Sequence, residues 1–248
     1  MSNGAAVAYL YDGSFEGLLC VVFESFHRRE RPLLIFSQQE PQETLYPVWE
    51  VETDMEAARK VEASIVSKIS KYALRLVRLC YLASEAGREC WILDFLRLGY
   101  RMGSSVTNLL SHDLVMPIIK TARQVEREAM MYRNFARFSE YDGSLVARIS
   151  PVHFVLPLIA PHFCDRFPSE SFLIYDDIHQ AALVYYKGKR DIVRMEQLTL
   201  PELSAEEALY RELWKRFYHS ISIKERENPK LRMQHMPKRY WSHMTEFL

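Results

Sequence analysis

Apolar residues recur at helical spacing over roughly thirty residues, from Thr53 or Asp54 to about Glu85, and this pattern limits the fold most strongly. It predicts one long amphipathic helix. The inward arc consists of Ala58, Val61, Ile65, Ile69, Tyr72, Leu76, Leu79 and Ala83. The opposite arc, which we call the basic ridge, carries Lys60, Lys68, Lys71, Arg75 and Arg78 with no acidic residue among them. A row of cations on one helix face is typical of a surface that contacts phosphate groups.

The composition excludes several classes of protein. Lysine and arginine together number 32 and are balanced by 32 acidic residues, so no global field attracts the whole chain to nucleic acid or to an acidic membrane. The cysteines Cys20, Cys80, Cys90 and Cys164 lie far apart and form no C-x-x-C pair, which favours a reducing compartment. Since the sequence shows neither a secretory signal pattern nor a long apolar run, we expect a cytoplasmic protein without a membrane partner.

Two further helical patterns follow the first. Glu89 to Met102 reads as a short apolar helix that ends at Gly103. Asp113 to Asn134 reads as an amphipathic helix, and its outward face carries Lys120, Arg123 and Arg127. Both patterns predict helices that bury one face and leave basic or polar side chains in water.

The tetrapeptide YDGS occurs twice, at 11–14 and at 141–144. An apolar strand pattern precedes the first copy and a helical pattern follows it, which makes Ser14 a candidate N-cap. The second copy lies between two strand patterns, where Asp142-Gly143 is a hairpin signal. We therefore expect the two copies to be structurally unrelated turns.

The second half of the chain has the element order β-β-α-β-β. The hairpin pattern covers 135–149, a helical pattern covers 152–167, and strand patterns cover 172–175 and 181–186. This order predicts an α+β fold with a small antiparallel sheet and several helices on one face, in addition to the long basic helix. We expect a strand-helix unit with the basic helix over 1–87 and an α+β domain over 88–248, or one compact unit containing both.

No motif for a metal site, a nucleophile or a phosphate-binding loop is specific, which lowers the expectation of an enzyme. The richest polar set is His162, Asp177 and His179, and it would hold a divalent metal or act as general acid and base if the predicted helix packs on the sheet. The plainer interpretation is that His162 sits in a helix-sheet seam and Asp176-Asp177 begin a polar turn. We favour it and expect no bound metal and no cofactor.

The last segment is basic and aromatic. From Lys215 onward, the sequence contains eight basic residues and only three acidic ones. The basic residues are Lys215, Arg216, Lys224, Arg226, Lys230, Arg232, Lys238 and Arg239, and Tyr240 and Trp241 follow them directly. Cations neutralise phosphates and flat rings stack on unpaired bases, so this mixture suits nucleic acid. The alternative is a C-terminal helix that buries Tyr240, Trp241, Met244 and Phe247 and leaves its basic side chains in water.

Four segments resemble a bacterial family called DUF4130. They read ENPKLRMQHMPKRYWSHMTEF (227–247), VEREAMMYRNFARF (125–138), ARISPVHFVLPLIAPHFCDRF (147–167) and FLIYDD (172–177). The resemblance implies a role in DNA repair or DNA metabolism, because members are similar to domains fused to uracil-DNA-glycosylase-like modules and are encoded beside a radical S-adenosylmethionine protein thought to act on DNA. This chain departs from the family pattern at Met130-Met131, where a histidine is common. It also has no glycosylase half and no C-x-x-x-C-x-x-C cluster.

These observations give three hypotheses. The leading one is a DNA-repair or DNA-metabolism accessory protein that binds DNA and works with a radical S-adenosylmethionine partner, through the basic ridge, the outward cations of the second helix and the C-terminal segment with Trp241. The second is a metal-dependent or acid-base enzyme acting on nucleic acid, built on His162, Asp177 and His179. The third is an adaptor whose basic surfaces bind acidic proteins.

Overall fold

A computed structural model of the chain describes residues 6–202, 204–220 and 228–247. The chain divides into two compact units, residues 1–125 and 126–248, which we call unit 1 and unit 2. The predicted division of the chain into segments 1–87 and 88–248 stays a prediction.

Unit 1 begins with a parallel sheet in which β1 (Ala8–Tyr11) lies between β2 (Leu34–Ser37) and β3 (Val48–Glu50). Helix α1 (Phe15–His27) follows β1. The Ser14 hydroxyl accepts a hydrogen bond from the Gly17 backbone N–H at 2.8 Å, so the predicted N-cap is confirmed. The first YDGS copy is thus the turn between a strand and a capped helix.

The predicted long basic helix is wrong, because the chain forms two helices, α2 (Met55–Lys68) and α3 (Lys71–Tyr81). Ser70 has extended backbone angles, and its hydroxyl accepts a hydrogen bond from the Ala73 N–H at 3.0 Å to cap α3. In the second half, Leu76, Leu79 and Ala83 are buried as predicted, and Leu74 and Val77 are buried as well. Tyr72, which was expected inside, is 48% exposed.

The remaining helices of the first half agree with the sequence patterns. Helix α4 (Arg88–Met102) ends at Gly103, and a short 3-10 segment covers Gly103–Asn108. Helix α5 (Met116–Phe135) spans the division between the units. The apolar residues at helical spacing in and just before α5 are all buried, as an amphipathic helix predicts: Val115, Ile118, Ala122, Val125, Ala129 and Tyr132. Within the part of the chain that the structure describes, none of the helices combines the length and apolar content that a membrane span requires.

The sheet of unit 2 is mixed, so the predicted small antiparallel sheet is wrong, although the α+β class is confirmed. Over the described residues its order is β4 (Phe138–Tyr141), β5 (Ser144–Ile149), β6 (Phe172–Asp176), β7 (Ala181–Tyr186) and β8 (Lys189–Arg194). Strands β5 and β6 are parallel, and the other neighbours are antiparallel. The reason is α6 (Leu156–Arg166), a crossover that returns the chain to the end of the sheet where β5 began.

Two tight hairpins complete this sheet. Asp142 and Gly143 have φ angles of 48° and 77°, which are the left-handed values that a two-residue hairpin turn requires. The second YDGS copy is therefore a hairpin turn, which confirms that the two copies are unrelated. Lys187 and Gly188 repeat the same geometry between β7 and β8, and the sequence analysis did not predict β8.

The C-terminal part of unit 2 consists of α7 (Ala205–Ser220), α8 (Pro229–His235) and 3-10 segments at Lys238–His243 and Thr245–Phe247. Ser204 caps α7, because its hydroxyl accepts the Glu207 backbone N–H at 3.1 Å. Tyr240 and Met244 are buried in the core of the unit, whereas Trp241 and Phe247 pack against that core and are only partly buried. Ile221, Lys224 and Arg226 lie outside the described residues.

Candidate nucleic-acid interface

The structure does not bring the predicted acid-base set together. Asp177 and His179 lie in the turn after β6 and not on a strand. Asp176 is fully buried, and it holds this turn by accepting the backbone N–H groups of Ile178 and His179 and by contacting His179 Nδ1 at 2.7 Å. The polar-turn interpretation of Asp176-Asp177 is confirmed. Over the residues that the structure describes, no three His, Cys, Asp or Glu side chains are grouped closely enough to hold a metal ion.

A different polar cluster surrounds Asp177, at the carboxyl ends of the parallel strands β5 and β6. Arg148 donates a hydrogen bond to Asp177 Oδ1 at 2.7 Å, and the Ser150 hydroxyl donates to Oδ2 at 3.3 Å. His243 Nε2 lies 2.8 Å from Ser150 Oγ and 3.4 Å from Asp177 Oδ2. Burial lowers the pKa of His243, and the attraction of Asp177 offsets this only in part, so a neutral ring is favoured.

This cluster is better suited to holding the C-terminal segment than to nucleophilic catalysis. One imidazole nitrogen faces both Ser150 and Asp177, whereas a catalytic triad uses the two nitrogens separately. With a hydrogen on Nε2, His243 donates to the two oxygens and the Ser150 hydrogen is directed to Asp177. Ser150 is then not activated as a nucleophile. The cluster therefore fastens the 3-10 segment at 238–243 to the end of the sheet.

A second buried carboxylate fixes the start of the crossover. Glu128 on α5 accepts the backbone N–H groups of Val152 and His153 at 3.1 and 2.8 Å. Arg239 lies 3.5 Å from this carboxylate, and it donates to the Tyr240 phenol oxygen at 2.6 Å. Arg239 was predicted to contact nucleic acid, and its guanidinium here already takes part in internal contacts.

The basic ridge is divided between two helices, and part of its charge is matched internally. Lys60 pairs with Glu56 at 2.6 Å, and Arg78 pairs with Glu62 at 2.8 Å. Lys68 and Lys71 are exposed and have no carboxylate partner among residues 6–202, 204–220 and 228–247. Arg75 is exposed as well. The ridge therefore remains a basic surface, although it is neither continuous along one helix axis nor free of acidic neighbours.

The other predicted contacts are spread over both units. Lys120, Arg123 and Arg127 are exposed on α5, and Lys230, Arg232 and Lys238 are exposed near the C-terminus. The Trp241 ring is stacked on Phe247, with a centroid distance of 4.3 Å and an interplanar angle of 13°, and its N–H donates to the Met236 carbonyl at 3.0 Å. The ring is thus used in packing, although it is only partly buried and lies in a 3-10 segment rather than in the expected C-terminal helix.

A cleft in unit 2 that no sequence pattern indicates brings basic and aromatic side chains together. It has a volume of about 580 Å³, and we call it the arginine cleft. Its basic residues are Arg133, Arg137, Arg166 and Arg211, and its rings are Phe138, Phe163, Phe167, Tyr210 and Trp214. These residues come from the end of α5, the start of β4, the end of α6 and one face of α7.

Two of the four arginines keep an unmatched charge. Glu246 accepts two hydrogen bonds from Arg137, and Glu207 pairs with Arg211 at 2.9 Å. Arg133 and Arg166 are exposed and pair with no carboxylate among the described residues, although Arg133 donates to the Leu158 carbonyl at 2.6 Å. The cleft therefore presents two guanidinium groups to an anion.

His162 lies beside these two guanidinium groups. Burial lowers the pKa of His162, and the positive charges of Arg133 and Arg166 lower it further. Its Nε2 is a buried atom without a hydrogen-bond partner in the described part of the chain. His162, which was expected in a helix-sheet seam, therefore lies next to two arginines of the arginine cleft. Asp177 is not among the charged groups that influence its pKa.

Two rings of the cleft are open to solvent. Tyr210 is 60% exposed and Trp214 is 41% exposed, and their spacing of four residues places them on one face of α7. The indole N–H of Trp214 donates to Glu246 at 3.3 Å, which fixes that ring. An exposed ring that neighbours guanidinium groups can accept a flat base while the cations accept a phosphate.

The arginines of the cleft carried a weak local signal. Arg133 is near the end of α5, Arg137 lies between α5 and β4, and Arg166 ends α6. The four arginines span almost eighty positions of the sequence, as expected for a site assembled by tertiary packing. Periodicity within one segment cannot show that segments meet. The segments that resemble DUF4130 contain three of the four arginines, and this resemblance was the only sequence feature that pointed to the arginine cleft.

The family model described as a domain of unknown function, DUF4130, matches residues 86–246 of the chain. The matched region includes every residue of the arginine cleft and of the Asp177 cluster. No curated protein matches the sequence.

Proposed function

We propose, from the premise that this chain belongs to the DUF4130 family, that it is a nucleic-acid-binding accessory protein of DNA repair or DNA metabolism. The arginine cleft is the observation that supports this proposal. We assign single-stranded or locally unpaired DNA as the ligand and a radical S-adenosylmethionine protein as the partner. The protein itself supplies binding and positioning.

The physical argument rests on two complementary groups in one cleft. Arg133 and Arg166 offer hydrogen-bond donors in a planar fork that matches phosphate oxygens. Tyr210 and Trp214 offer exposed rings, and stacking of one base on such a ring contributes about 1–3 kcal/mol without sequence preference. A duplex hides the faces of its bases, so the rings favour unpaired nucleotides.

The exposed cations elsewhere add a sequence-independent contribution. Lys68 and Lys71 in unit 1 and Lys120, Arg123 and Arg127 on α5 are exposed, and each phosphate that such a cation neutralises releases counterions. These residues increase affinity for any nucleic acid. The arginine cleft adds the preference for unpaired bases.

The enzyme hypothesis has less support. No three His, Cys, Asp or Glu side chains of the described residues are grouped as a metal site requires, and Asp177 is not among the charged groups that shift the pKa of His162. One nitrogen of His243 faces both Ser150 and Asp177, which is not the arrangement of a catalytic triad. The adaptor hypothesis shares the exposed cations, but an acidic protein surface does not require open aromatic rings between the arginines.

The test is fluorescence anisotropy at low salt with single-stranded, duplex and lesion-containing DNA. We expect Arg133→Gln together with Arg166→Gln to weaken single-strand binding and to lower the slope of log K against log salt by about 1.4, since each phosphate contact in a single strand contributes about 0.7. Arg190→Gln is the matched control, because Arg190 is an exposed arginine of β8 outside the cleft.

The ring contribution is tested separately. We expect Tyr210→Ala to weaken single-strand binding about tenfold and to leave duplex binding nearly unchanged. Tyr186→Ala is the control, because Tyr186 is 55% exposed on β7 and does not line the cleft. Equal losses for the two tyrosine variants, or no binding to any DNA at low salt, would refute the proposal and leave the adaptor hypothesis.

The partner is tested by affinity capture from the native bacterium with and without nuclease. We expect a radical S-adenosylmethionine protein in both samples if the two proteins contact each other directly. Its loss after nuclease treatment would show that DNA alone connects them.

A further inference from the structure

Unit 1 contains a second groove, which lies between α1, α2 and α4 and has a volume of about 570 Å³. Helix α1 contributes Val22, Phe23, Phe26 and His27, α2 contributes Lys60, Val61, Ser64 and Lys68, and α4 contributes Tyr100. The spacing of these residues places each set on one helix face. We call this feature the α1–α2 groove.

The floor and walls of the groove are aromatic, and the rings are already arranged. Phe23 and His27 are stacked with parallel planes 6.0 Å apart between centroids, and Phe26 meets Tyr100 edge to face at 5.4 Å. Phe23 and Phe26 are 39% and 42% exposed, although Val22 beside them is buried. Ordered rings that face solvent can stack on a flat ligand with little further loss of side-chain freedom.

One wall of the groove is cationic. Lys60 and Lys68 are eight residues apart on α2, which is about 12 Å along a helix axis. Lys60 is partly neutralised by Glu56, whereas Lys68 has no carboxylate partner in the described ranges of the chain. None of the described residues that line the groove is acidic. An uncharged apolar ligand would gain no electrostatic attraction from Lys68, whereas an anion would.

We propose that the α1–α2 groove binds a small aromatic anion, a flat ring system that carries one phosphate or carboxylate group. The ring lies against Phe23 and Phe26, and the anion is directed to Lys68. The groove volume is within the range of small-molecule sites. A lysine is a point charge without the fork of arginine, so this site recognises charge more than the shape of the anionic group.

This ligand class has two sources, a nucleoside monophosphate and an aryl carboxylate. Isothermal titration calorimetry of the full chain with 2-deoxyadenosine 5′-monophosphate and, separately, with 2-naphthoate distinguishes them. Deoxyadenosine and 2-naphthalenemethanol are the uncharged controls. We expect one anion to bind in the groove and its uncharged analogue to bind there about tenfold more weakly, as for a charge-assisted contact.

Variants locate the site. Lys68→Ala is expected to weaken binding of the anion about tenfold and to leave the uncharged analogue unchanged. Lys71→Ala is the matched control, since Lys71 is an exposed lysine on α3 outside the groove. Ser64→Trp is expected to fill the groove and abolish binding, with thermal unfolding measured to verify that the variant is folded.

The arginine cleft requires a separate control because it is a second anion site. Arg166→Ala is expected to leave binding of the small anion unchanged. Absence of binding by both anions, equal binding of charged and uncharged analogues, an unaffected Lys68→Ala variant, or loss of binding in Arg166→Ala would each overturn the proposal. Those results would leave the proposed binding of unpaired DNA by the arginine cleft untouched, since neither Lys68 nor Ser64 lines that cleft.

Discussion

Replacement of Glu246 by glutamine tests how the C-terminal end of the chain is held in unit 2. The Glu246 side chain is 3% exposed, and Arg137 donates to its two oxygens at 2.6 and 3.2 Å. Trp214 adds a third hydrogen bond at 3.3 Å. Glutamine keeps the size of the side chain, but it removes the negative charge. Its amide N–H then faces the Arg137 guanidinium group, which cannot accept a hydrogen bond.

The magnitude follows from the burial of the pair. Removing one member of a buried ion pair costs about 3–5 kcal/mol, because the remaining charge stays unmatched. Arg137 is 27% exposed and also donates to the Asn134 carbonyl at 3.2 Å, so part of its charge is solvated in the variant. We therefore expect Glu246→Gln to lower the free energy of unfolding by about 2–3 kcal/mol at neutral pH.

The pH dependence of this difference gives a second, independent check. Burial is the largest single influence and raises the pKa of Glu246, but the hydrogen bonds and charge of Arg137, with further hydrogen bonds, outweigh burial and hold the pKa below its ordinary value of 4.5. A lowered carboxyl pKa contributes stability that is present above the unfolded value and is lost as the pH falls through the folded value. The difference between the native chain and the variant is therefore expected to shrink below about pH 4.5.

Urea unfolding at pH 7 and at about pH 4 measures both quantities. Glu140→Gln is the control, because Glu140 is an exposed glutamate of β4 in the same unit. The reasoning is refuted if Glu246→Gln changes the free energy of unfolding by less than about 1 kcal/mol, which is the range of an exposed pair. It is also refuted if the difference is as large at pH 4 as at pH 7.

Three further outcomes are expected. Charge reversal of Lys68, Lys71 and Arg75 to glutamate should weaken binding to all DNA sequences and flatten its salt dependence in anisotropy, since phosphate contacts carry no sequence information. Trp241→Ala should lower the free energy of unfolding by about 2–3 kcal/mol in urea, below a fully buried tryptophan because the ring is only partly covered, without changing the preference for single strands. Because burial lowers the pKa of His243 below 6.5, the unfolded chain binds more protons near pH 6, so stability should rise between about pH 5 and 7.5, and His243→Gln should flatten this rise in thermal unfolding.

The comparison of the two turns shows how far local chemistry reaches. Ser14 and Gly143 were assigned to a helix cap and a hairpin from their neighbours alone, and both assignments are confirmed. Such features depend on the backbone of about four residues and on one side chain, so the sequence contains all the information they need. The inward face of α5 was predictable for the same reason, because its period of 3.6 residues is a local property.

The errors arose where two local rules compete or where distant segments meet. Ser70 is acceptable inside a helix and better as a cap, and packing of Leu74 and Val77 decides for the cap. The direction of β6 relative to β5 depends on the path of α6 across the sheet. The alternation of residues within a strand carries no information about that path. Periodicity could not distinguish an antiparallel from a mixed sheet.

The sequence by itself determined the α+β class, the turn chemistry, most helix faces and the family of the chain. Only tertiary structure decided which charges remain available. Glu246 neutralises Arg137 from more than a hundred residues away, while Arg133 and Arg166 have no carboxylate partner in the part of the chain that the structure describes. It likewise separated His162 from Asp177 and placed His243 there instead. The physical reason is that electrostatic and packing energies depend on the distance between two groups in space, and the separation of two residues along the sequence does not determine this distance.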